Sequence, residues 1–318
     1  MASTTAGAGG RSGLGQKRGT WFEVRRSFWP YVFISPFFIL FGIFGLFPYV
    51  YAFYLSFVEW SGIGGPGTET WVGLRNYQAL LGDDLWWKSL YNSVWLFVVT
   101  NLNLVIALVL AYILNSGLIR FKEVYRAAFF APIVASSVAV AVIFTTLFGE
   151  RYGTINWVLS LVGLPGVDWL GSATWIKPAI ATVVIWRYFG WNTVIYLAGL
   201  QSIPTDLYEA ARVDGASWPQ IFRHITLPLL RPVITFTVIL SIIGALQLFE
   251  EPLMLAGGSQ STSPGGTDQA GLTTLVYLYN QAFSYLKFGY ASAMSVALFV
   301  IIVLFSFVYY RTVGRERD

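Results

Sequence analysis

One stretch inside a long apolar run carries residue types suited to ligand recognition: Trp186-Arg187-Tyr188-Phe189-Gly190-Trp191-Asn192. At helical spacing Tyr188, Trp191, Asn192 and Ile195 fall on one face, an aromatic surface beside an amide. Such a face suits a neutral sugar, whose C–H faces pack on rings while its hydroxyls require donors and acceptors. Arg187 in hydrocarbon would cost at least about 2.5–3.5 kcal/mol, so it must face a polar cavity or a partner. Gln247, Glu250 and Glu251, at the end of a later apolar run, either complete a site with Trp186 and its neighbours or pair with Arg187. The plainer alternative is that Arg187 bridges helices and the two glutamates open a loop.

Catalysis has little to work with. Without cysteine there is no thiolate nucleophile or thiolate metal site, and the single histidine, His224, gives little support to histidine-based chemistry. No Gly-x-x-x-x-Gly-Lys-Ser/Thr phosphate loop, His-Glu-x-x-His or Gly-x-Ser-x-Gly occurs. The chain is expected to be no enzyme and to bind no cofactor or metal itself.

The elements that must position these residues are membrane spans. Hydrophobic residues make up 56% and charged residues 11%, against roughly 25% charged in a soluble domain. Charge-free runs Ser27–Val58, Ser89–Ile119, Ala127–Gly149, Pro232–Phe249 and Phe288–Tyr310 are each near or above the 20 or so residues that cross a bilayer, and Lys177–Gly199 adds a sixth with Arg187 at its middle. The reading is an all-α polytopic membrane protein with six transmembrane helices. Residues 1–28 form a basic tail, 29–58 the first span, 59–88 an external loop, 89–311 the core with five spans, and 312–318 the C-terminus. The first run is too long for a signal-peptide core and no small-residue cleavage site follows it. Fourteen of the twenty lysines and arginines fall in the tail, the 115–126 loop, the 202–232 loop and the C-terminal end, which puts both termini in the cytoplasm. Ala270–Leu286 is uncharged too, but a span there would place the C-terminal arginines outside, so an external or re-entrant helix is expected. The loop tryptophans (Trp60, Trp71, Trp86 and Trp87; Trp157, Trp169 and Trp175) read mainly as interfacial belts.

The polar island 202–232 is built as two short helices with a turn. Pro204 and Asp206 suit a first turn, Gly215 a helix stop, and Ser217-Trp218-Pro219-Gln220 has capping-box spacing. The second helix is expected to run until Pro228 breaks it, with Trp218, Ile221, Phe222 and Ile225 on one apolar face. Glu209-Ala210-Ala211, three residues, Gly215, nine residues, then Ile225-x-Leu227-Pro228 resembles the EAA loop in permease subunits of bacterial ATP-driven (ABC) importers. Tyr91–Val158 and Thr273–Ile302 are similar to the carbohydrate-uptake branch, the maltose and glycerol-phosphate type. Ala256-Gly257-Gly258-Ser259-Gln260 departs from the Gly-Gly-Pro usual there.

The resemblance implies a type I permease fold in a bacterial cytoplasmic membrane. Its coupling helix would present Glu209, Ala210, Ala211, Asp214, Gly215, Trp218, Phe222, Ile225, Leu227 and Pro228 to a separate ATP-binding subunit that holds ATP and Mg. It implies a second homologous permease, an external sugar-binding protein and the lipid bilayer as partners, and no nucleic acid. The substrate it implies is a sugar or oligosaccharide, with glycerol phosphate as the alternative in which Arg187 meets the phosphate. A rival from another class is an ion-coupled secondary transporter, which calls for paired midplane acids and an inverted repeat. A third is a membrane subunit without a transport role.

Overall fold

Backbone amides in hydrocarbon must be satisfied within their own segment, so charge-free runs become helices. A computed structural model describes residues 28–63, 65, 67–116, 119–256 and 264–314. The basic tail, the glycines and neighbours at 257–260, and Arg315 and Arg317 lie outside the described residues. The regular structure among the described residues is helical apart from two antiparallel two-residue strands, β1 (Val58–Glu59) and β2 (Thr70–Trp71), with Val58 opposite Trp71.

Among the described residues four helices are long and apolar enough to cross a membrane: Pro30–Leu55, Asp84–Asn115, Trp218–Ala256 and Phe288–Gly314. Lys122–Val134 and Ser137–Leu147, bent by 95°, make a fifth if counted as one broken span. The sixth expected span exists as a 26-residue helix, Ile176–Gln201, but is not among the apolar set, because Lys177, Arg187 and Asn192 dilute its hydropathy. The structure therefore gives four or five apolar spans where the sequence predicts six. Between residues 270 and 286 lie only a short helix, Thr274–Tyr279, and a π-turn, Asn280–Ser284, too short to cross.

The chain divides into two compact units, 1–52 and 53–318. The first holds α1 (Phe28–Leu40), a π-turn, Phe41–Leu46, and the start of α2 (Phe47–Leu55), whose last residues belong to the second. Phe33, Phe44 and Tyr49 are exposed on a segment that is apolar all round, the composition of a membrane-spanning helix.

In the second unit α3 is Arg75–Leu81, α4 Asp84–Thr100, α5 Leu102–Asn115, α6 Lys122–Val134, α7 Ser137–Leu147 and α8 Thr154–Leu161. After these come α9 (Ile176–Gln201), α10 (Thr205–Val213), α11 (Trp218–Ile221), α12 (Leu227–Leu246), α13 (Glu250–Ala256), α14 (Thr274–Tyr279) and α15 (Phe288–Tyr309). Helix α9 is central. It packs on α5 and α6, where Ala107 and Ala111 are fully buried against Tyr196, Leu197 and Leu200. Small residues permit that approach. Gly190 is the extreme case: a Cβ there would lie 1.7 Å from the Phe129 carbonyl oxygen. Trp86 belongs to a buried cluster with Ile242, Leu246, Met294 and Leu298, so it is a core residue and no part of an interfacial belt.

Pro228 does not end a helix. Helix α11 continues through a π-turn, Phe222–Thr226, directly into α12, so the helix is unbroken from Trp218 to Leu246, and a short break separates it from α13 within the apolar span Trp218–Ala256. Leu227 N–H bonds back to Phe222 O, five residues earlier. The wider turn shifts the hydrogen-bond register at the place where proline lacks a donor and would crowd the preceding turn. Pro48 follows the π-turn of the first unit in the same way, with Phe47 N–H bonded to Gly42 O.

Candidate functional site

Three elements meet around a cavity of about 220 Å³. The break between α4 and α5 supplies Thr100 and Asn103, α9 supplies Val184, Tyr188, Trp191 and Asn192, and α12 supplies Thr237, Leu240, Ser241 and Gly244. The break is stabilised by Asn101, whose amide donates to Phe97 O (2.6 Å) and whose Oδ1 accepts from Ser241 (3.0 Å). Asn192 Nδ2 donates to Asn103 Oδ1 at 2.8 Å and to Tyr188 O at 3.3 Å. The capacity left in this amide pair is the two Asn103 N–H donors and the Asn192 carbonyl oxygen, so a donor and an acceptor both remain at the cavity's lining residues. Trp191 is 42% exposed and rests on Phe130 at 5.8 Å between ring centres. The cavity offers rings, amides and hydroxyls, and none of its lining residues is charged.

Arg187 faces away from this cavity into an ion cluster. Its Nη1 donates to Glu251 at 2.7 Å and reaches Glu250 at 3.4 Å, while Nη2 donates to Ser137 Oγ at 2.8 Å. Ser137 in turn donates to Glu250. Arg187 and Glu251 are 8% and 5% exposed, so each neutralises a charge that burial would otherwise make prohibitive. The cluster ties α9 to α13 and to the bend between α6 and α7, which is the helix-bridging role.

At the other end of α9 the chain forms a knob. Helix α10 closes with Gly215 at φ +77°, its N–H bonded to Arg212 O (3.1 Å) and the Ala216 N–H bonded to Ala211 O (2.9 Å), the paired bonds of a Schellman stop. No atom lies within 4 Å of where a Cβ at Gly215 would sit, so only the backbone conformation demands glycine. Ser217 N–H donates to Gln220 Oε1 at 2.7 Å, completing the capping box at the start of α11. Tyr112 of α5 meets Trp218 and Phe222 edge-on at 4.9 and 5.2 Å, covering part of the apolar face, and Ile221 is buried. Trp218 nevertheless stays 62% exposed. Glu209, Ala210, Asp214, Leu227 and Pro228 are exposed, and Ala211, Phe222 and Ile225 half-buried.

The structure thus brings Tyr188, Trp191 and Asn192 together at a cavity. Trp186 instead packs edge-on to Phe144 at 5.1 Å, Arg187, Glu250 and Glu251 form the ion cluster, and Gln247 is exposed outside the cavity lining. Thr100, Asn103, Thr237 and Ser241 escape the sequence reading. Their signal is the presence of polar residues in the middle of otherwise apolar spans, Thr100-Asn101-Leu102-Asn103 most clearly.

Helices of spanning length around an uncharged, mainly apolar cavity with a few amides and hydroxyls, and a capped knob at the end of the central helix, are the features of a membrane transport subunit. The chain belongs to the family of binding-protein-dependent transport system inner membrane components, matched over residues 19–317. It is 35% identical over 283 residues to the arabinooligosaccharides transport system permease protein AraP of Bacillus subtilis, covering 88% of this chain and 86% of that one. Identity to the lactose transport system permease protein LacF of Rhizobium radiobacter is 34% over 292 residues, covering 90% and 94%. The fold is that of a chain in the crystal structure of a bacterial alginate ABC transporter in complex with alginate pentasaccharide-bound periplasmic protein (TM-score 0.77, 22% identity, 92% of this chain and 96% of that one).

Proposed function

We propose that this chain is one permease half of an ATP-driven importer that carries a sugar or oligosaccharide handed over by an external binding protein. The observation that carries the reading is the cavity: Tyr188 and Trp191 rings beside the Asn103–Asn192 amide pair, with no charge to neutralise. The permeases named for arabino-oligosaccharides and lactose support the substrate class. A volume of about 220 Å³ falls below the roughly 300–1,000 Å³ of a ligand pocket, so an oligosaccharide requires a second wall. A homologous second permease supplies it.

In this assembly six spans cross the membrane, α6–α7 forming the third and α9 the fourth, and both termini lie in the cytoplasm. Glu209, Ala210, Ala211, Asp214, Gly215, Trp218, Phe222, Ile225, Leu227 and Pro228 dock on a separate ATP-binding subunit that holds ATP and Mg. The exposed Trp218 and Val213 give that contact an apolar anchor. Closure of the ATP-binding subunits moves the knob as a rigid body because the Schellman stop and capping box leave no slack at its turn.

Arg187 held by Glu251 argues against glycerol phosphate as substrate, since a phosphate would have to displace a carboxylate at 2.7 Å. The same pairing leaves Glu251 matched, unlike the ion-binding acids of a secondary transporter. The test is a mild-detergent pull-down of the chain from native membranes, followed by uptake with Trp191→Ala and Asn192→Leu. Co-purification of an ATP-binding subunit and a second permease, with sugar uptake impaired in both variants, is the expected result. A chain that purifies alone while still supporting transport overturns it.

A further inference from the structure

A second cavity, of about 580 Å³, opens between α3, the first turn of α4 and the turn leading into α15. It lies within the size range of ligand sites, unlike the central one. Asp83 caps α4 and Thr100 closes it, so at 1.5 Å per residue the two cavities are roughly 25 Å apart along that helix. On the proposed topology the larger one faces outside the cell.

Its wall is a chain of hydrogen bonds. Gln281 Nε2 donates to the Tyr277 hydroxyl at 2.8 Å, and Tyr277 and Tyr290 each donate to Asp83 Oδ2 at 2.6 Å. The chain fixes the amide with its nitrogen toward Tyr277. Gln281 Oε1 is thereby the acceptor left over, and it is buried without a hydrogen-bond partner in a residue only 8% exposed. Buried polar atoms are nearly always paired, so such an orphan calls for a donor that the described chain does not supply. At the rim Arg75 is only loosely tied to Glu59, 3.8 Å away with both side chains exposed, and Lys287 is also exposed. Leu286 beside them holds a left-handed φ of 54°, a strained conformation of the kind that gathers at ligand sites. A third cavity, about 380 Å³, shares Tyr277, Gln281 and Lys287, so the amide stands between two recesses.

We infer that this is a second carbohydrate subsite, holding one residue of an oligosaccharide away from the central cavity; the inference rests on the sugar reading above. A sugar hydroxyl does both things the site requires: its O–H donates to Gln281 Oε1, and its oxygen lone pairs accept from Arg75 and Lys287. A phosphate or carboxylate ligand brings no donor for the orphan oxygen and meets Asp83 and Glu59. The two recesses on either side of Gln281 suit a ligand of more than one ring.

The test uses the assembled importer in nanodiscs, with maltotriose, arabinotriose and lactose as probes read by saturation-transfer NMR. Trp191→Ala removes central binding, and at least one probe still binds. Adding Gln281→Leu to it weakens that residual binding about tenfold, the scale of one lost hydrogen bond in a dry site. Arg75→Met, at an exposed side chain that leaves folding untouched, weakens it about threefold on the same scale. Binding abolished by Trp191→Ala alone overturns the subsite and leaves the importer reading standing. Residual binding unchanged by Gln281→Leu and Arg75→Met also overturns it, as does an effect confined to affinity for the binding protein, which would make this a protein-docking surface. Failure of every probe to bind the wild-type importer overturns both the subsite and the sugar reading.

Discussion

Removing one partner of the buried Arg187–Glu251 pair should destabilise the chain far more than removing both. In Arg187→Met, Glu251 is left 5% exposed without the cation it pairs with among the described residues, a loss of about 3–5 kcal/mol. Glu251→Gln is milder, because an amide oxygen can still accept from the guanidinium and Glu250 remains at 3.4 Å on a half-exposed side chain; about 1.5–3 kcal/mol fits that partial loss. Arg187→Met with Glu251→Met replaces the pair by apolar groups of similar reach, and buried pairs so replaced come out near neutral, within about 1–2 kcal/mol of the parent. At about 2 °C per kcal/mol for a large chain, Arg187→Met should lower Tm by roughly 6–10 °C and the double variant by no more than about 4 °C. The chain has no cysteine, so thiol-reactive dyes are ruled out. Size-exclusion chromatography of a fluorescent fusion after graded heating reports the loss instead. Losses that simply add in the double variant, or an Arg187→Met shift under about 1 °C, would refute the claim that this pair bridges the helices.

Other outcomes follow from single contacts. Gly190→Ala puts a Cβ 1.7 Å from Phe129 O, so α9 and α6 must separate; the variant should lose its monodisperse peak, whereas Gly244→Ala, with open space around it, should keep it. Gln220→Ala removes half the capping box, about 1 kcal/mol, and should speed amide exchange at Trp218–Ile221 about fivefold without altering exchange in α9. Burial, then the hydrogen bond to Asp83, raises the Tyr277 phenol above its ordinary pKa. The neutral form is therefore the one the fold favours, and its stabilisation is complete below about pH 10 and lost as pH rises through the higher folded value. Tyr277→Phe should lower Tm at pH 7, and the gap should narrow above pH 10.

Much of this fold can be read in the sequence because a membrane simplifies the code. Charge-free runs such as Phe288–Tyr310 became helices, and Gly215, Ser217 and Gln220 formed the stop and the cap their spacing calls for. Pro228 misleads because proline is costly only in a regular α-turn, and the π-turn at Phe222–Thr226 removes the conflict by a backbone adjustment that residue type does not encode. The site was half legible. Tyr188, Trp191 and Asn192 share a face by local periodicity, but their partners Asn103 and Ser241 lie tens of residues away on other helices, and only tertiary packing selects them. Arg187 announces a partner by the cost of its charge, while the choice between Glu251 and a ligand depends on how α13 docks.

The most direct measurement is ATP-driven uptake of a labelled oligosaccharide into proteoliposomes holding this chain and its co-purifying subunits, with and without Gly215→Val. A β-branched residue at φ +77° strains the knob by about 1–2 kcal/mol without a clash elsewhere. If the knob transmits the work of ATP hydrolysis, uptake should require ATP and fall at least tenfold in the variant while the chain still inserts and assembles. Uptake that proceeds without ATP on an ion gradient, or that is unchanged by Gly215→Val, would contradict it.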